Sequence, residues 1–392
     1  MAERRQAEGA GSEIMANNSD VTPGGPGKLV IACGGTGGHL FPGIAVAEAW
    51  RARGGEVLLI ISEKQIDTLA TEGYDYFRFE RQPAIAMPPI LSLRIIGFAG
   101  ALMKGIAQSR TLLKTFGADA VLGMGGFTST APIMAGKWLG LPTYIHESNA
   151  IPGRANLLNA RFSTRVLVGF DACADKFDHR KVEVVGTPLR PSVWNRPSRE
   201  EGLRRFGLRP DRKTLLVMGG SQGARRINEL VGESLARFPS DRLQVLHISG
   251  PQDHEMAKAF HQDKPADLST VLLPFCAEMQ YALAAADLAI CRSGASTLTE
   301  LAHYSLPSIL VPYPFAAHDH QTRNAEVFSN PGAAMLWPQD RLDAATFANE
   351  LVTLMEDDAA LAEMKVALGS LAVADAAERI CDLVVSDRAA RP

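Results

Sequence analysis

Four times along this chain an apolar run breaks into a glycine- or serine-rich turn and then into an amphipathic stretch. "KLVIAC" leads into "GGTGGH" (Gly34 to His39), and "ADAVLGMGG" (Ala118 to Gly126) leads into "FTSTAPIMAGKWLG". "KTLLVM" (Lys213 to Met218) leads into "GGSQGARRINELVGESL", and "ADLAICRSG" (Ala286 to Gly294) leads into "ASTLTELAHYS". Continuous apolar strands that alternate with helices belong to parallel sheets covered on both faces. The turns fall in two pairs, each an early glycine-rich turn and a later Ala-Asp-led one. That is the footprint of two similar doubly wound α/β domains.

A chain of 392 residues is long enough for two such domains. The expected boundary lies in "VVGTPLRPSVWNRPSREEG" (Val184 to Gly202), which carries three prolines and ends in charge. We therefore expect domains over 28–190 and 191–373, with a final helix at about 374–392 packing back on the first. Residues 1–27 are polar and glycine-rich, without the apolar core of a signal peptide, and read as a disordered extension. In doubly wound sheets ligands bind beyond the carboxyl ends of the strands. Two domains facing each other there would line one cleft with all four turns.

Composition removes several function classes. A net charge of −3 gives no reason to expect nucleic acid as a partner. The five cysteines have neither metal-ligand nor redox spacing and read as small buried hydrophobes. No apolar run is long enough to span a bilayer.

Neither early turn is a dinucleotide fingerprint. Leu40 stands where the third glycine of G-x-G-x-x-G would fall, "GGSQGA" misses the same spacing, and neither ends in the Lys-Ser/Thr of a P-loop. Glu63, after the apolar run "VLLIIS", sits roughly where a ribose-binding acid would, which keeps a dehydrogenase open on that half alone. "GGSQGARRIN" offers backbone N–H groups, the Ser221 hydroxyl and a helix start, which together suit a diphosphate without a metal. "CRSGASTLTE" offers a second helix start, and its Glu300 is either a solvated acid complementing the helix dipole or an acceptor for both hydroxyls of a ribose. "HESNAIPGRANLLN" places His146, Glu147 and Asn149 at another strand's end, where Ser148 or Asn149 also serves as a helix cap. His318, Asp319, His320, Gln321 and Asn324 form a polar cluster that reads as a hydrogen-bonding surface rather than a metal site. No Asp-x-Asp motif accompanies it, and neither metal nor cofactor is expected. The segment from Arg81 to Gly117 contains no Asp or Glu and carries Arg94, Lys104, Arg110 and Lys114. It reads either as a buried helix pair or as an apolar, basic surface lying on an anionic bilayer.

Seven strings occur in an order that resembles one family: "GGTGGHLFPGIAVAEAW", "GMGGFTS", "HESNAIPGRANLLN", "GTPLR", "GGSQGARRIN", "CRSGASTLTELAHYSLPSILVPYP" and "DHQTRNA". This is the MurG family of bacterial peptidoglycan N-acetylglucosaminyltransferases, and the resemblance runs from about Lys28 to Cys381. It implies the GT-B fold of two Rossmann-like domains. It also implies transfer of N-acetylglucosamine from UDP-GlcNAc to lipid I, giving lipid II with inversion and a β-1,4 bond. The enzyme would be peripheral, on the cytoplasmic face of the plasma membrane. Other cell-wall synthesis proteins are conceivable partners.

On the matching positions, Phe275 and Cys276 would border uracil, Glu300 would hold the ribose diol, and Arg190 with Ser221 would contact the donor diphosphate. Gln222, Gly223, Ser293 and Gly294 complete that cradle, Arg292 would shape the adjoining loop, and Gln321 would read sugar hydroxyls. Thr36, Gly37 and Gly38 would receive the acceptor's diphosphate, with Asn149 nearby. His39 would face the acceptor hydroxyl, either as general base or as its orienter with Glu147 taking the proton. A UDP-GlcNAc 2-epimerase, another GT-B transferase with a different acceptor, and a non-catalytic dinucleotide-binding module remain the alternatives.

Overall fold

A computed structural model describes residues 25–34, 37–63, 73–83, 88, 94–178, 181–219, 223–341, 343–373 and 375–390. Most of the expected N-terminal extension lies outside them. Among the described residues the chain forms two wholly parallel sheets. The first contains β1 (Lys28–Ala32), β2 (Glu56–Ser62), β3 (Arg78–Gln82), β4 (Ala120–Gly123), β5 (Thr143–Glu147), β6 (Arg165–Val168) and β7 (Val182–Val184), in the order β3-β2-β1-β4-β5-β6-β7. The second contains β8 (Lys213–Met218), β9 (Leu243–Ile248), β10 (Thr270–Leu273), β11 (Leu288–Cys291), β12 (Ser308–Leu310) and β13 (Ala334–Leu336), in the order β10-β9-β8-β11-β12-β13. Both sheets thus wind outwards from a central pair, β1/β4 in one and β8/β11 in the other. The four glycine- and serine-rich turns are the loops after these four strands. They stand at the two topological switch points, where such sheets open a crevice.

The helices are α1 (Gly37–Ala52), α2 (Arg94–Phe116), α3 (Thr130–Trp138), α4 (Arg154–Ala160), α5 (Pro191–Trp194), α6 (Arg199–Phe206), α7 (Arg225–Ser234), α8 (His254–Gln262), α9 (Met279–Ala285), α10 (Ala295–Tyr304), α11 (His320–Ser329), α12 (Ala344–Glu356), α13 (Asp358–Leu371) and α14 (Ala376–Ala389). Alternation along each central strand sends side chains to both faces. Leu29 and Ile31 pack with Trp50 of α1 and Ile380 of α14, while Val30 and Ala32 pack with Ile106 of α2 and Ile133 of α3. In the second half Leu215 and Val217 meet Ile227 of α7 and Phe347 of α12, and Leu216 meets Ala282 of α9 and Leu298 of α10. All five cysteines are free and buried.

The chain's last helix returns to the first sheet. Ile380, Cys381 and Val384 of α14 are buried against α1. Arg53 pairs with Glu378 and Asp382. Arg165 donates from Nε and Nη2 to the two oxygens of Asp387, both at 2.7 Å, and Tyr144 donates to the same carboxylate. These bonds from Arg165 hold the Asp387 carboxyl below its usual range.

The Arg81–Gly117 segment is not a buried helix pair. Its described part after Arg94 is one helix, α2, with a mixed surface. Ile106, Ser109 and Leu113 face the core, whereas Ile96 is 72% and Met103 55% exposed. Gln82 at the end of β3 donates to Ser109. The 15 residues from Arg94 to Gln108, about 22 Å of helix at 1.5 Å per residue, therefore lie on the side of the strands' carboxyl ends. Phe98 meets Phe127, just after the β4 turn, edge to face with ring centres 6.1 Å apart. No helix among the described residues is long and apolar enough to cross a membrane.

Candidate active site

In the first half the two switch-point turns touch through His39. Gly125 and Gly126 follow β4 with φ of +107° and +70°, a region that favours glycine. A Cβ added to Gly125 would lie 2.9 Å from His39 Nε2, so the imidazole lies directly on this backbone. Gly37 and Gly38 are the first two residues of α1, whose leading N–H groups have no partners inside the helix. Such a start is a ready anion site. Thr36 lies outside the described residues.

The loop after β5 is organised by Glu147. Its Oε1 accepts from the backbone and side-chain nitrogens of Asn149 at 3.0 and 2.9 Å, and its Oε2 from Gly153 N and Asn156 Nδ2 at 2.9 and 3.0 Å. A carboxylate has about four acceptor positions, and this one, 4% exposed, already receives four bonds. These four bonds make Glu147 the acid that orders this loop. His146 is fully buried; Nε2 donates to the Gly186 carbonyl at 2.8 Å, and Nδ1 accepts from Ser148 Oγ. Burial pushes its pKa down. The Asn149 side chain is likewise engaged, donating to Glu147 and accepting from Asn324, which leaves it a weak candidate for direct substrate contact.

In the second half Gly223 has φ +82°, and a Cβ there would stand 2.7 Å from the Ser249 carbonyl oxygen. Ser221 and Gln222 lie outside the described residues. Among those described, α7 and α10 begin without a side-chain cap, behind Ala224 and Gly294. Helix starts left uncapped at a switch point offer their N–H groups to a ligand. Phe275 is 66% exposed beside the buried Cys276. Arg292 donates to the carbonyls of Val311 and Pro312 and to Gln339, with Tyr313 against its guanidinium, and so shapes the loop after β12. Gln321 contributes its Oε1 to the Tyr313 N–H and its backbone oxygen to Ser293 Oγ. His320 Nδ1 donates to the Ala317 carbonyl and Asp319 accepts from Thr322, so this polar cluster is partly spent in closing the start of α11.

Two side chains carry contacts between the halves close to the four turns. Arg190 Nη2 donates to Glu300 Oε1 at 3.0 Å, and the same guanidinium lies 4.7 Å from the ring centre of Phe41 on α1. Asn324 on α11 bonds to Asn149, Ala150 and Ser293. Neither Phe41 nor Asn324 stands among the site residues expected from sequence. Asn324 follows Gln321 by three positions on one helix, and that spacing puts both on one side of it.

Two family models match this chain. One, described as the glycosyltransferase family 28 N-terminal domain, covers residues 29–168, and the other, the family 28 C-terminal domain, covers residues 214–380. This chain belongs to glycosyltransferase family 28. It is a glycosyltransferase, and its relatives place it in the MurG group. It is 36% identical over 86% of its length to the UDP-N-acetylglucosamine–N-acetylmuramyl-(pentapeptide) pyrophosphoryl-undecaprenol N-acetylglucosamine transferase of Halothermothrix orenii, 92% of which is covered. Among solved structures it resembles Acinetobacter baumannii MurG with a TM-score of 0.75 and 28% identity, over 92% of this chain and 99% of that one. A UDP-GlcNAc 2-epimerase from Neisseria meningitidis shares the fold at a TM-score of 0.65, with 13% identity over 92% of this chain and 100% of that one. Its likeness extends to architecture alone. The two family 28 models leave residues 169–213 between them, and Arg190, the residue that touches both α1 and α10, lies in that connector.

Proposed function

We propose that this family 28 enzyme transfers N-acetylglucosamine from UDP-GlcNAc to the muramyl 4-hydroxyl of lipid I, forming lipid II with inversion and a β-1,4 bond. The observation that carries the reading is the placement of all four switch-point turns at the carboxyl edges of two sheets, with Arg190 touching α1 of one half and Glu300 of the other. The second half takes the donor. Phe275 and Cys276 border the base, Glu300 holds the ribose diol, and Arg190 turns to the diphosphate at the uncapped starts of α7 and α10. Ser221, Gln222, Gly223, Ser293 and Gly294 complete the cradle, and Gln321 reads the sugar. Helix starts and a guanidinium stabilise the leaving UDP as its charge grows. The first half takes the acceptor, with its diphosphate at Thr36, Gly37 and Gly38 and its hydroxyl at His39. Proton removal by His39 accompanies bond formation, a contribution of typically 10²–10⁴ in rate.

The exposed, apolar start of α2 supports a peripheral site on the cytoplasmic face of an anionic membrane. Ile96 and Met103 are open to solvent, Lys104 and Arg110 are exposed on the same helix, and the helix start adjoins the acceptor-side turn through Phe127. A lipid-borne acceptor could then reach His39 without leaving the bilayer.

Product analysis tests the function directly. Purified enzyme, UDP-GlcNAc and a lipid I analogue should yield a β-1,4-linked disaccharide lipid and UDP. Formation of UDP-N-acetylmannosamine or free UDP with no disaccharide would refute the reading in favour of an epimerase or hydrolase.

A further inference from the structure

Asn324 is fully buried where the two halves meet. Its Nδ2 donates to Asn149 Oδ1 at 3.0 Å and to the Ser293 carbonyl at 3.1 Å, and its Oδ1 accepts from Ala150 N at 2.8 Å. The amide can sit only one way round. Flipping it would set N–H against the Ala150 N–H and oxygen against two other oxygens. The bonds continue in both directions. Asn149 is gripped by Glu147, the acid that orders the acceptor-side loop. Ser293 stands in the switch-point turn that starts α10, the helix of Glu300, and its hydroxyl ties that turn to Gln321. One amide therefore links the β5 loop of the first half to the β11 turn of the second, at the edges where donor and acceptor must meet.

We infer that Asn324 is a positioning residue that fixes the distance and angle between the acceptor-side loop and the donor-side turn. The inference rests on the glycosyl-transfer reading above. Asn324 touches neither substrate in this account and acts through Asn149 and Ser293. Donor binding uses groups of one half together with Arg190, so it survives loss of this link. Transfer needs both halves in register, and a misplacement of about 1 Å can lower turnover about a hundredfold.

Four variants test this: Asn324→Ala, Asn324→Asp, Asn149→Ala and the Asn324→Ala/Asn149→Ala double. Asn324→Asp keeps the shape and the acceptor for Ala150 but opposes two oxygens with a third, so it remains informative if the alanine variant folds poorly. The positioning role predicts kcat about a hundredfold down in each Asn324 variant, with calorimetric Kd for UDP within about threefold of wild type. It also predicts that Asn149→Ala adds little to the kcat loss already caused by Asn324→Ala. A readout independent of catalysis uses spin labels on Lys137→Cys and Lys258→Cys, exposed positions in opposite halves; the five native cysteines are buried. The distance distribution should be narrow in the parent and broad in the Asn324 variants. Unchanged kcat in a folded Asn324 variant, donor affinity falling in step with kcat, independent effects of the two alanines, or an unchanged distance distribution would each overturn the inference. Wild-type enzyme that makes no disaccharide lipid refutes the function instead, and the spin-label distances then decide the positioning claim by themselves.

Discussion

Replacing Glu300 with alanine probes the donor half most sharply. A carboxylate accepting hydrogen bonds from ribose hydroxyls contributes about 1.5–3 kcal/mol, so we expect a loss of about 2 kcal/mol, close to a thirtyfold rise in Kd for UDP. The pairing of Glu300 trims that figure. Glu300 is not waiting in water: its Oε1 accepts from Arg190 at 3.0 Å, and the two side chains are 11% and 21% exposed. On the proposed reading donor binding exchanges that pair for contacts to ribose and diphosphate, so the net gain from Glu300 falls short of the gross bond. Glu300→Ala also leaves the Arg190 guanidinium against Phe41 without its anion, which lowers stability as well as affinity. Glu300→Gln keeps an acceptor for Arg190 without the charge and should weaken UDP by about tenfold. Calorimetry with UDP and 2′-deoxy-UDP separates the effects. Wild type should lose much of its affinity when the 2′-hydroxyl is absent, whereas Glu300→Ala should scarcely distinguish the two ligands. Wild type that binds both equally, or a folded Glu300→Ala with unchanged UDP affinity, would refute the assignment.

Four further outcomes are expected. His39→Ala should lower kcat by about 10²–10⁴ with little change in UDP affinity, and His39→Asn should be nearly as slow; near-normal turnover in either would make His39 structural. Ile96→Ser/Met103→Ser, at two exposed positions, should release the enzyme from anionic vesicles while activity on a short-chain soluble acceptor survives; vesicle sedimentation that still carries the double variant down would remove α2 from the membrane contact. Asp387→Asn should destabilise the first half by about 2 kcal/mol, because it breaks a charge-assisted, two-pronged contact from Arg165; unchanged urea unfolding would show that α14 is held by its apolar face alone. Burial lowers His247 to about 3 and His261 to about 4, so both stay neutral in the folded state while the unfolded chain takes up protons below about pH 6.5. Their contribution is therefore intact above pH 6.5 and lost as pH falls towards 4, by up to about 1.4 kcal/mol per pH unit for each; His247→Gln should flatten that slope in acid-unfolding titrations.

The fold was legible because its signals are local and repeated. Fully buried parallel strands read as unbroken apolar runs, and the backbone at a switch point needs glycine, so "GMGG" and "GGSQG" stand out in the residue string by themselves. The Arg81–Gly117 segment was harder. One of its two readings was a buried helix pair, yet Gly97, Gly100 and Gly105 are accommodated inside the single helix α2, where tertiary packing of Ile106 and Leu113 outweighs weak local propensity. The roles of polar residues were least legible. "HESN" offers three groups able to handle a proton, and nothing in that string says that Glu147 will receive four hydrogen bonds or that His146 will be sealed against Gly186. Asn149 within the string supplies two of those bonds, but Gly153 comes from the following loop, Asn156 from α4 and Gly186 from the connector after β7, so saturation is largely a tertiary property. Asn324 was hidden in the same way, since its partners lie some 30 and 175 residues away.

On the proposed reading the two halves use one device for opposite tasks. Each opens its sheet between a central strand pair, β1/β4 or β8/β11, and sets a glycine turn and a helix start at each of the two strand ends. In the first half the turn closes on an imidazole, the side chain whose ordinary pKa suits removal of a hydroxyl proton near neutral pH. In the second the switch point holds the Arg190–Glu300 pair, groups that suit a diphosphate and a diol. An exchange of the two roles fails on this chemistry. A guanidinium cannot act as a base, and an imidazole carries neither the permanent charge nor the two-pronged geometry that holds a diphosphate. On the proposed reading, the division of labour between acceptor and donor halves follows from which side chain stands at each switch point, with the link through Asn324 proposed to set one against the other.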